Sequence, residues 1–503
     1  MAFRAQTAIR GIVSVATINL AARAVAYGKH ILITAYFGLS APLDAFYVAA
    51  TVLSMAVFVF GDIFDSLGIP RLVKVLQEEG ETSFRELAGS IFSLSLALSG
   101  TVCLLLLLIG PWTPWIAPGL SPEKKGMVLR NLLLLAPMAL LYLPYHAVGS
   151  FLRARRRFQA FYLGELIIAS VTFLILLLRH DIPDILPLSF SLAYIAVFLY
   201  IVAAGLRGIR PRGIRTHPMM ARMVRMVFLL LPLYLTNYLF ALVDRAFASF
   251  LPTGGISALF YGAMIAMIPY SILMPESIVI TPLSETADRE PMLREIVSAI
   301  LMISVPLALF TALHAPPLVK AAFERGVFTP ASTRATGDAL AFLSLAIPAY
   351  FLWPLFYRVF QILENLGAIG WISLSAVLLN AALNFLFLSL DLGIRGIALA
   401  TSISWYALVA GAALLFFRSG LRFLDRSVLE VGLFSVGAAL VSLLLSAAVS
   451  PPATTTPGLL LRGAIFLLAD AGLYWIIPHG AIRHVRDTIH REFLRPAGGA
   501  PDP

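Results

Sequence analysis

"AARAVAYGKHILITAYFGLSAPLDAFYVAA" occupies residues 21–50. Most of it would dissolve in oil, yet Arg23 and Lys29 lie inside the apolar run and Asp44 stands at its far end. A charge near a bilayer centre costs at least roughly 2.5–3.5 kcal/mol, so intramembrane charges face a partner, a cavity or a substrate. Whether this stretch is a membrane span with working charges decides the reading of the whole chain.

Composition answers for the membrane. The 503 residues are 59% hydrophobic and 13% charged, with mean hydropathy +0.89. Soluble domains are nearer about 25% charged. Fourteen apolar stretches of spanning length follow one another: 11–38, 45–69, 87–110, 127–150, 159–178, 186–206, 226–250, 257–282, 295–315, 338–360, 369–389, 395–417, 429–449 and 461–478. A spanning helix needs about 20 mostly apolar residues. The first continues too far for a signal peptide and is interrupted by Arg23, so it reads as a retained span. The single cysteine, Cys103, sits in "TVCLLLLLIG" and can form no internal disulfide. The sequence carries no CxxC, HExxH, P-loop or GxSxG pattern.

Basic residues orient the spans. With the N-terminus in the cytoplasm, the inner loops hold clusters such as Arg153, Arg155, Arg156 and Arg157, and the run Arg207, Arg210, Arg212, Arg215, Arg222, Arg225. The outer side holds nine: Lys124, Lys125, Arg130, Arg179, Lys320, Arg325, Arg334, Arg395 and Arg462. This asymmetry places both termini inside. It also accounts for the net charge of +10 without a nucleic-acid partner. "RARRR" at 153–157 reads as a topogenic loop, with an anionic-lipid headgroup site as the alternative.

Two halves echo each other. "DAFYVA" (44–49) returns as "ALFYGA" (258–263), and "LAPMALLYLP" (135–144) as "LAIPAYFLWP" (345–354). The expected fold is an all-α polytopic membrane protein of about fourteen transmembrane helices. A six-helix lobe at 1–206, a basic linker at 207–225 and a second lobe at 226–417 form a parallel repeat. Accessory helices at 429–478 and a tail at 479–503 follow. Transporters of this kind bind at the repeat interface.

Arg23, Tyr27 and His30 share one helix stripe by their spacing of four and three. Arg23 lies roughly 18 Å from Gly11 along the axis, and Lys29 roughly 9 Å further. Together they make a cationic track for an anionic substrate, the alternative being internal ion pairing. Arg suits phosphate through its bidentate fork, and Lys as a point charge. Asp62 and Asp65 fall near span ends, where interfacial solvation is expected. Glu276 follows Pro275 in a span that also contains Pro269, so that span is expected to kink and open backbone groups to a cavity. Asp470 is deep in the last span and receives no role.

These residues, with "VDRAFASFLPTGGISALFYGA" (243–263), "ERGVFTP" (324–330) and "NAALNFLFLSLDLGIRGIALATS" (380–402), resemble the MurJ/MviN family of lipid II flippases. The resemblance covers nearly the whole chain. It implies two lobes with a central cationic cavity, a groove for a lipid tail on the last two helices, and a polyprenyl-pyrophosphate-linked sugar as substrate. It places substrate-binding residues at Arg23, Lys29 and Asp44, to which Tyr27, His30 and Glu276 are added from the sequence. Two family arginines fall at Phe58–Val59 and at Met264, where this chain has none. It also implies a sodium site from Asp244, Asn380, Asn384, Thr401 and the carbonyl of Ile397; the alternative is that the two asparagines are interhelical glue. The expected protein is a flippase in a bacterial plasma membrane, read as a monomer, with Na⁺ as a possible coupling ion. Alternatives are a cation-coupled exporter of small amphiphiles, an exporter of exopolysaccharide or O-antigen precursors, and a scaffold with a degenerate cavity.

Overall fold

The computed structural model describes residues 2–213, 217–274, 289–362 and 366–476, and all regular structure among them is helical. Eleven helices in this part are long and apolar enough to cross a membrane. The chain is a multi-pass membrane protein. It divides into two compact units: one of Met1–Ser257 with Arg325–Ser332, the other of Ala258–Glu324 with Thr333–Pro503.

The first unit contains α1 (Ala2–Phe37), α2 (Ala41–Leu53), α3 (Val59–Glu78), α4 (Gly80–Ile109), α5 (Pro122–Ala154), α6 (Phe158–Arg179), α7 (Ile185–Gly205) and α8 (Pro218–Ala248). Helix α5 is its axle, packing against α2, α3, α4, α6 and α7, while α1 lies along α6. Small residues bring the helices close. A Cβ at Gly61 of α3 would collide with the Tyr142 ring of α5, and one at Gly149 of α5 with Phe161 of α6. Helices α2 and α3 are one rod joined by a π-helical turn at Ser54–Phe58. The rod runs to Glu78 although the sequence suggested a stop near 69. Pro70 sits inside it, as membrane helices tolerate when neighbours satisfy the freed carbonyl.

The second unit contains α9 (Gly255–Ala266), α10 (Ile268–Leu273), α11 (Arg289–Leu313), α12 (Ala315–Phe323), α13 (Pro330–Leu343), α14 (Ile347–Ile362), α15 (Leu366–Ser389), α16 (Gly393–Arg418), α17 (Arg426–Val449) and α18 (Thr456–Ile476); α9 and α13 begin in residues of the first unit. The expected break in the eighth span falls between α9 and α10, with Pro269 in the first turn of α10. Glu276 lies outside the described residues. Ala439, Leu443 and Phe466 form a small core that Leu309 and Phe310 close, fixing the pair α17 and α18 to α11. The opposite faces of that pair leave Leu444, Leu468 and Ile476 more than 70% exposed, as suits helices bathed in lipid.

Candidate functional site

Arg23, Tyr27, Lys29 and His30 all lie on α1. Arg23 Nε donates to Asn19 Oδ1 at 3.4 Å, one turn back. Lys29 is 8% exposed. Its Nζ sits 4.6 Å from the centroid of the Phe190 ring on α7, a cation–π contact that gives up little of the donor capacity of an ammonium. Among the described residues no hydrogen-bond acceptor and no ion-pair partner reaches it. The acidic charge that acts on it is Glu165 of α6, whose Oε1 accepts the Tyr145 hydroxyl at 2.7 Å. Lys29 is therefore a buried cation with three N–H donors left to give.

Asp44 is buried, 2% exposed. Both of its oxygens are occupied by the Gly254–Ser257 segment. Its place in this structure is at a helix end, holding backbone.

Asp62 and Asp65 are not simply solvated. Asp62 Oδ2 accepts the Tyr238 hydroxyl at 2.8 Å. Asp65 Oδ2 meets His146 Nδ1 at 3.1 Å, and its Oδ1 accepts Arg153 Nη2. Tyr142 lies between this group and the π-turn, stacked on Phe58 at 4.2 Å. The place near which the resemblance expects a helix-2 arginine is thus filled by an aromatic pair. Sequence reasoning missed this network because its hydrogen-bonded partners are 20 to 176 residues apart; the only local signal was two carboxylates three apart in an apolar helix.

The basic loop is also drawn into protein contacts. Arg153 lies over Phe161 at 3.9 Å and Arg155 over Phe84 at 4.5 Å. Arg155 also pairs with Glu81, and Arg157 Nη1 donates to the Ala204 carbonyl at 2.9 Å. Three of the four arginines are spent on helix ends, which leaves little of the loop for a lipid headgroup.

The second unit holds the asparagines. Asn384 Nδ2 donates to Asn380 Oδ1 at 3.0 Å, and Asn380 Nδ2 to Thr401 Oγ1 at 3.5 Å. Thr401 Oγ1 donates to the Ile397 carbonyl at 2.9 Å. All four residues are at most 4% exposed. Asp244 is on α8 of the first unit, 7% exposed, beside Arg245, on which its charge acts. Among the described residues no group of three His, Cys, Asp or Glu side chains is arranged to hold a metal ion. An oxygen cluster built on amides and a hydroxyl falls outside that pattern.

Known proteins place the chain. The family model described as "Lipid II flippase MurJ" matches residues 33–456. A protein of Rhizobium tropici named "Probable lipid II flippase MurJ" is 24% identical over 422 residues, covering 79% of this chain and 78% of its own. One of the same name from Synechocystis sp. is 26% identical over 427 residues, covering 78% of each. Among solved structures, a lipid II flippase MurJ in an inward closed conformation superposes with TM-score 0.77 at 19% identity, over 96% of this chain and 100% of its own. An inward-facing multidrug resistance MATE family transporter of the MOP superfamily gives 0.60 at 14% identity, over 80% and 95%. The structural likenesses carry the fold, and the match over residues 33–456 carries the family: this chain belongs to the lipid II flippase MurJ family.

Proposed function

We propose that this protein carries a polyprenyl-pyrophosphate-linked saccharide, lipid II in the first instance, from the inner to the outer leaflet of a bacterial plasma membrane. Both termini face the cytoplasm, as the distribution of arginine supports. The observation that carries the reading is Lys29, a buried ammonium with no acceptor among the described residues. An unpaired buried charge is costly unless something arrives to meet it. A phosphate oxygen meets it with short, charge-assisted hydrogen bonds. Arg23, six residues earlier on α1, supplies the planar fork that Lys29 lacks. Nothing in the reaction is covalent; the work is exposure of the cation pair to one leaflet and then the other.

An oxygen set in the second unit supports a sodium site. The side chains of Asn380, Asn384 and Thr401 and the Ile397 carbonyl are hard-donor oxygens within one buried cluster, the kind of ligand a hard cation takes. Bound Na⁺ would supply a positive charge that biases the second unit's conformation.

The function is tested by reconstituting wild-type and Arg23→Ala protein in vesicles with fluorescent lipid II on one leaflet. Arg23→Ala should elute as a folded membrane protein and translocate less than a tenth as fast. Normal translocation by Arg23→Ala ends the cationic-site reading. A wild-type protein that ignores lipid II yet moves an undecaprenyl-pyrophosphate-linked glycan of another composition transfers the reading to exopolysaccharide or O-antigen precursors.

A further inference from the structure

The first unit contains a polar network that the transport of an anion does not by itself require. It begins at Lys29 of α1, whose nearest acidic influence is Glu165 of α6. Glu165 accepts from Tyr145 of α5 at 2.7 Å. The next residue of α5, His146, packs its ring 5.3 Å from Tyr145 and 4.5 Å from Tyr142. His146 Nδ1 meets Asp65 of α3 at 3.1 Å, and the other oxygen of Asp65 takes Arg153. Asp62, one turn earlier on α3, takes Tyr238 of α8. Tyr194 of α7 lies 5.8 Å from Tyr142 and 6.3 Å from Tyr145, closing the group.

Its charges do not balance by themselves. Asp62, Asp65 and Glu165 are three carboxylates facing two cationic side chains, Lys29 and Arg153. The groups that face His146 come from α3 (Asp62, Asp65), from α5 (Tyr142, Tyr145, Arg153) and from α6 (Glu165), with Tyr194 of α7 behind Tyr142 and Tyr145. Phe161 of α6 closes the remaining side at 6.3 Å. The tyrosines stay neutral at physiological pH. Histidine is the side chain whose ordinary titration lies between about pH 5 and 8, so His146 is the member that supplies or withholds the balancing charge. Nδ1–H donates to Asp65, which leaves Nε2 as the nitrogen that takes a proton from water and returns it. The side chain retains 12% exposure for that exchange.

We propose that His146, held by Asp65, is a proton-binding site of the first unit, and that its occupancy is linked to the anion at Lys29 through Glu165. The linkage has a definite sign and rests on the proposed substrate. A pyrophosphate on Lys29 takes up the positive charge that Glu165 otherwise feels. The network is left with an excess of negative charge, and a proton on His146 offsets it. Substrate arrival and proton uptake are then coupled, and release of the anion in the other leaflet frees the proton.

The experiment is a histidine titration by NMR on the full-length protein in detergent, labelled at the ring Cε1 carbons. The His146 signal is the one lost in His146→Gln. The signal is followed from about pH 5 to 9, where it should move, and Asp65→Asn should shift its midpoint downward by about one pH unit or more. A signal that does not move over this range, or a midpoint that ignores Asp65→Asn, overturns the proton site. Should Asp65→Asn not fold, Glu165→Gln gives the same test with a smaller downward shift. Undecaprenyl pyrophosphate is then added, with its binding followed by tryptophan fluorescence. Bound lipid should raise the midpoint; bound lipid with no shift overturns the linkage. Failure of the lipid to bind counts against the substrate reading, while the titration without lipid still decides the proton site.

Discussion

A single oxygen of Asp44, Oδ1, accepts both the backbone N–H of Ser257 at 2.9 Å and its hydroxyl at 2.6 Å. The other oxygen accepts the N–H of Gly254 at 2.6 Å. The two residues are 213 positions apart in the chain. Asp44 thus does for the segment entering α9 what a local N-cap does for its own helix: it satisfies N–H groups that have no carbonyl and places negative charge at the positive end. Gly254 has φ +96°, and a Cβ there would run into Leu39, so the turn presenting these donors admits glycine alone without strain. The carboxylate is engaged in this contact, which gives Asp44 a positioning role at the start of α9.

Asp44→Ala leaves those buried donors without an acceptor. The expected cost is about 3 kcal/mol, given roughly 1–3 kcal/mol for each buried group stranded and hydrogen bonds to charge at the upper end. Asp44→Asn keeps one oxygen and should lose about half as much. Unfolding in detergent checks the order: wild type, then Asn, then Ala. An Ala variant as stable as wild type means that the capping contact carries no weight.

Lys29 should behave in the opposite way. Its ammonium is buried over Phe190 with no acceptor among the described residues, so Lys29→Met removes an expense and should leave stability unchanged or higher. Binding of a pyrophosphate lipid should weaken at least ~10-fold, the worth of one charge-assisted hydrogen bond. Lys29→Arg should bind as well as wild type or better, because the fork suits phosphate. Equal lipid affinity in Lys29→Met and wild type would show that the cation is structural.

The contrast between Lys29 and Asp65 shows where a linear sequence is readable. Hydropathy and basic loops were enough to mark a multi-pass membrane protein, because each span is judged from its own roughly 20 residues. The face shared by Asn380 and Asn384 followed from spacing alone, and their side chains do meet, at 3.0 Å. Asp65 could not be read in this way. Its partners His146 and Arg153 lie 81 and 88 residues away, and near a span end solvation and pairing look alike in one dimension. The rod from α2 through Pro70 outruns its apolar stretch for a related reason: proline stops helices in water but is absorbed within a membrane bundle.

Asp425 caps α17 from outside the membrane. Its Oδ1 accepts the N–H of Ser427 at 3.0 Å and that of Val428 at 3.3 Å, and Arg294 pairs with its Oδ2 at 2.9 Å. Partial burial would raise its carboxyl, but these hydrogen bonds and the arginine hold it below its ordinary value. A carboxylate lowered on folding stabilises above its unfolded titration and loses that contribution as pH falls through the folded one. Asp425→Ala should cost about 1 kcal/mol at neutral pH, as cap removal does. The gap to wild type should narrow below roughly pH 4, the ordinary aspartate range. A gap that stays constant down to pH 3 removes ionised Asp425 from the explanation.

The second unit gives the test of sodium. If Asn380, Asn384, Thr401 and the Ile397 carbonyl hold Na⁺, the folded state gains what the ion's affinity provides, about 2.7 kcal/mol at a hundredfold excess over Kd. Unfolding in Na⁺ should then occur at higher temperature than in K⁺ at equal ionic strength. Asn384→Asp adds a carboxylate to the oxygen set, so the Na⁺-dependent rise should grow and begin at lower Na⁺ concentration. Asn384→Ala should abolish it. The hydrogen-bonded chain from Asn384 to Ile397 also admits the simpler role of fastening α15 to α16. Under that role Asn384→Ala lowers the unfolding temperature equally in both salts, and wild type does not distinguish Na⁺ from K⁺. A wild-type protein indifferent to the two cations therefore assigns the asparagines to packing and leaves this transporter without a sodium site.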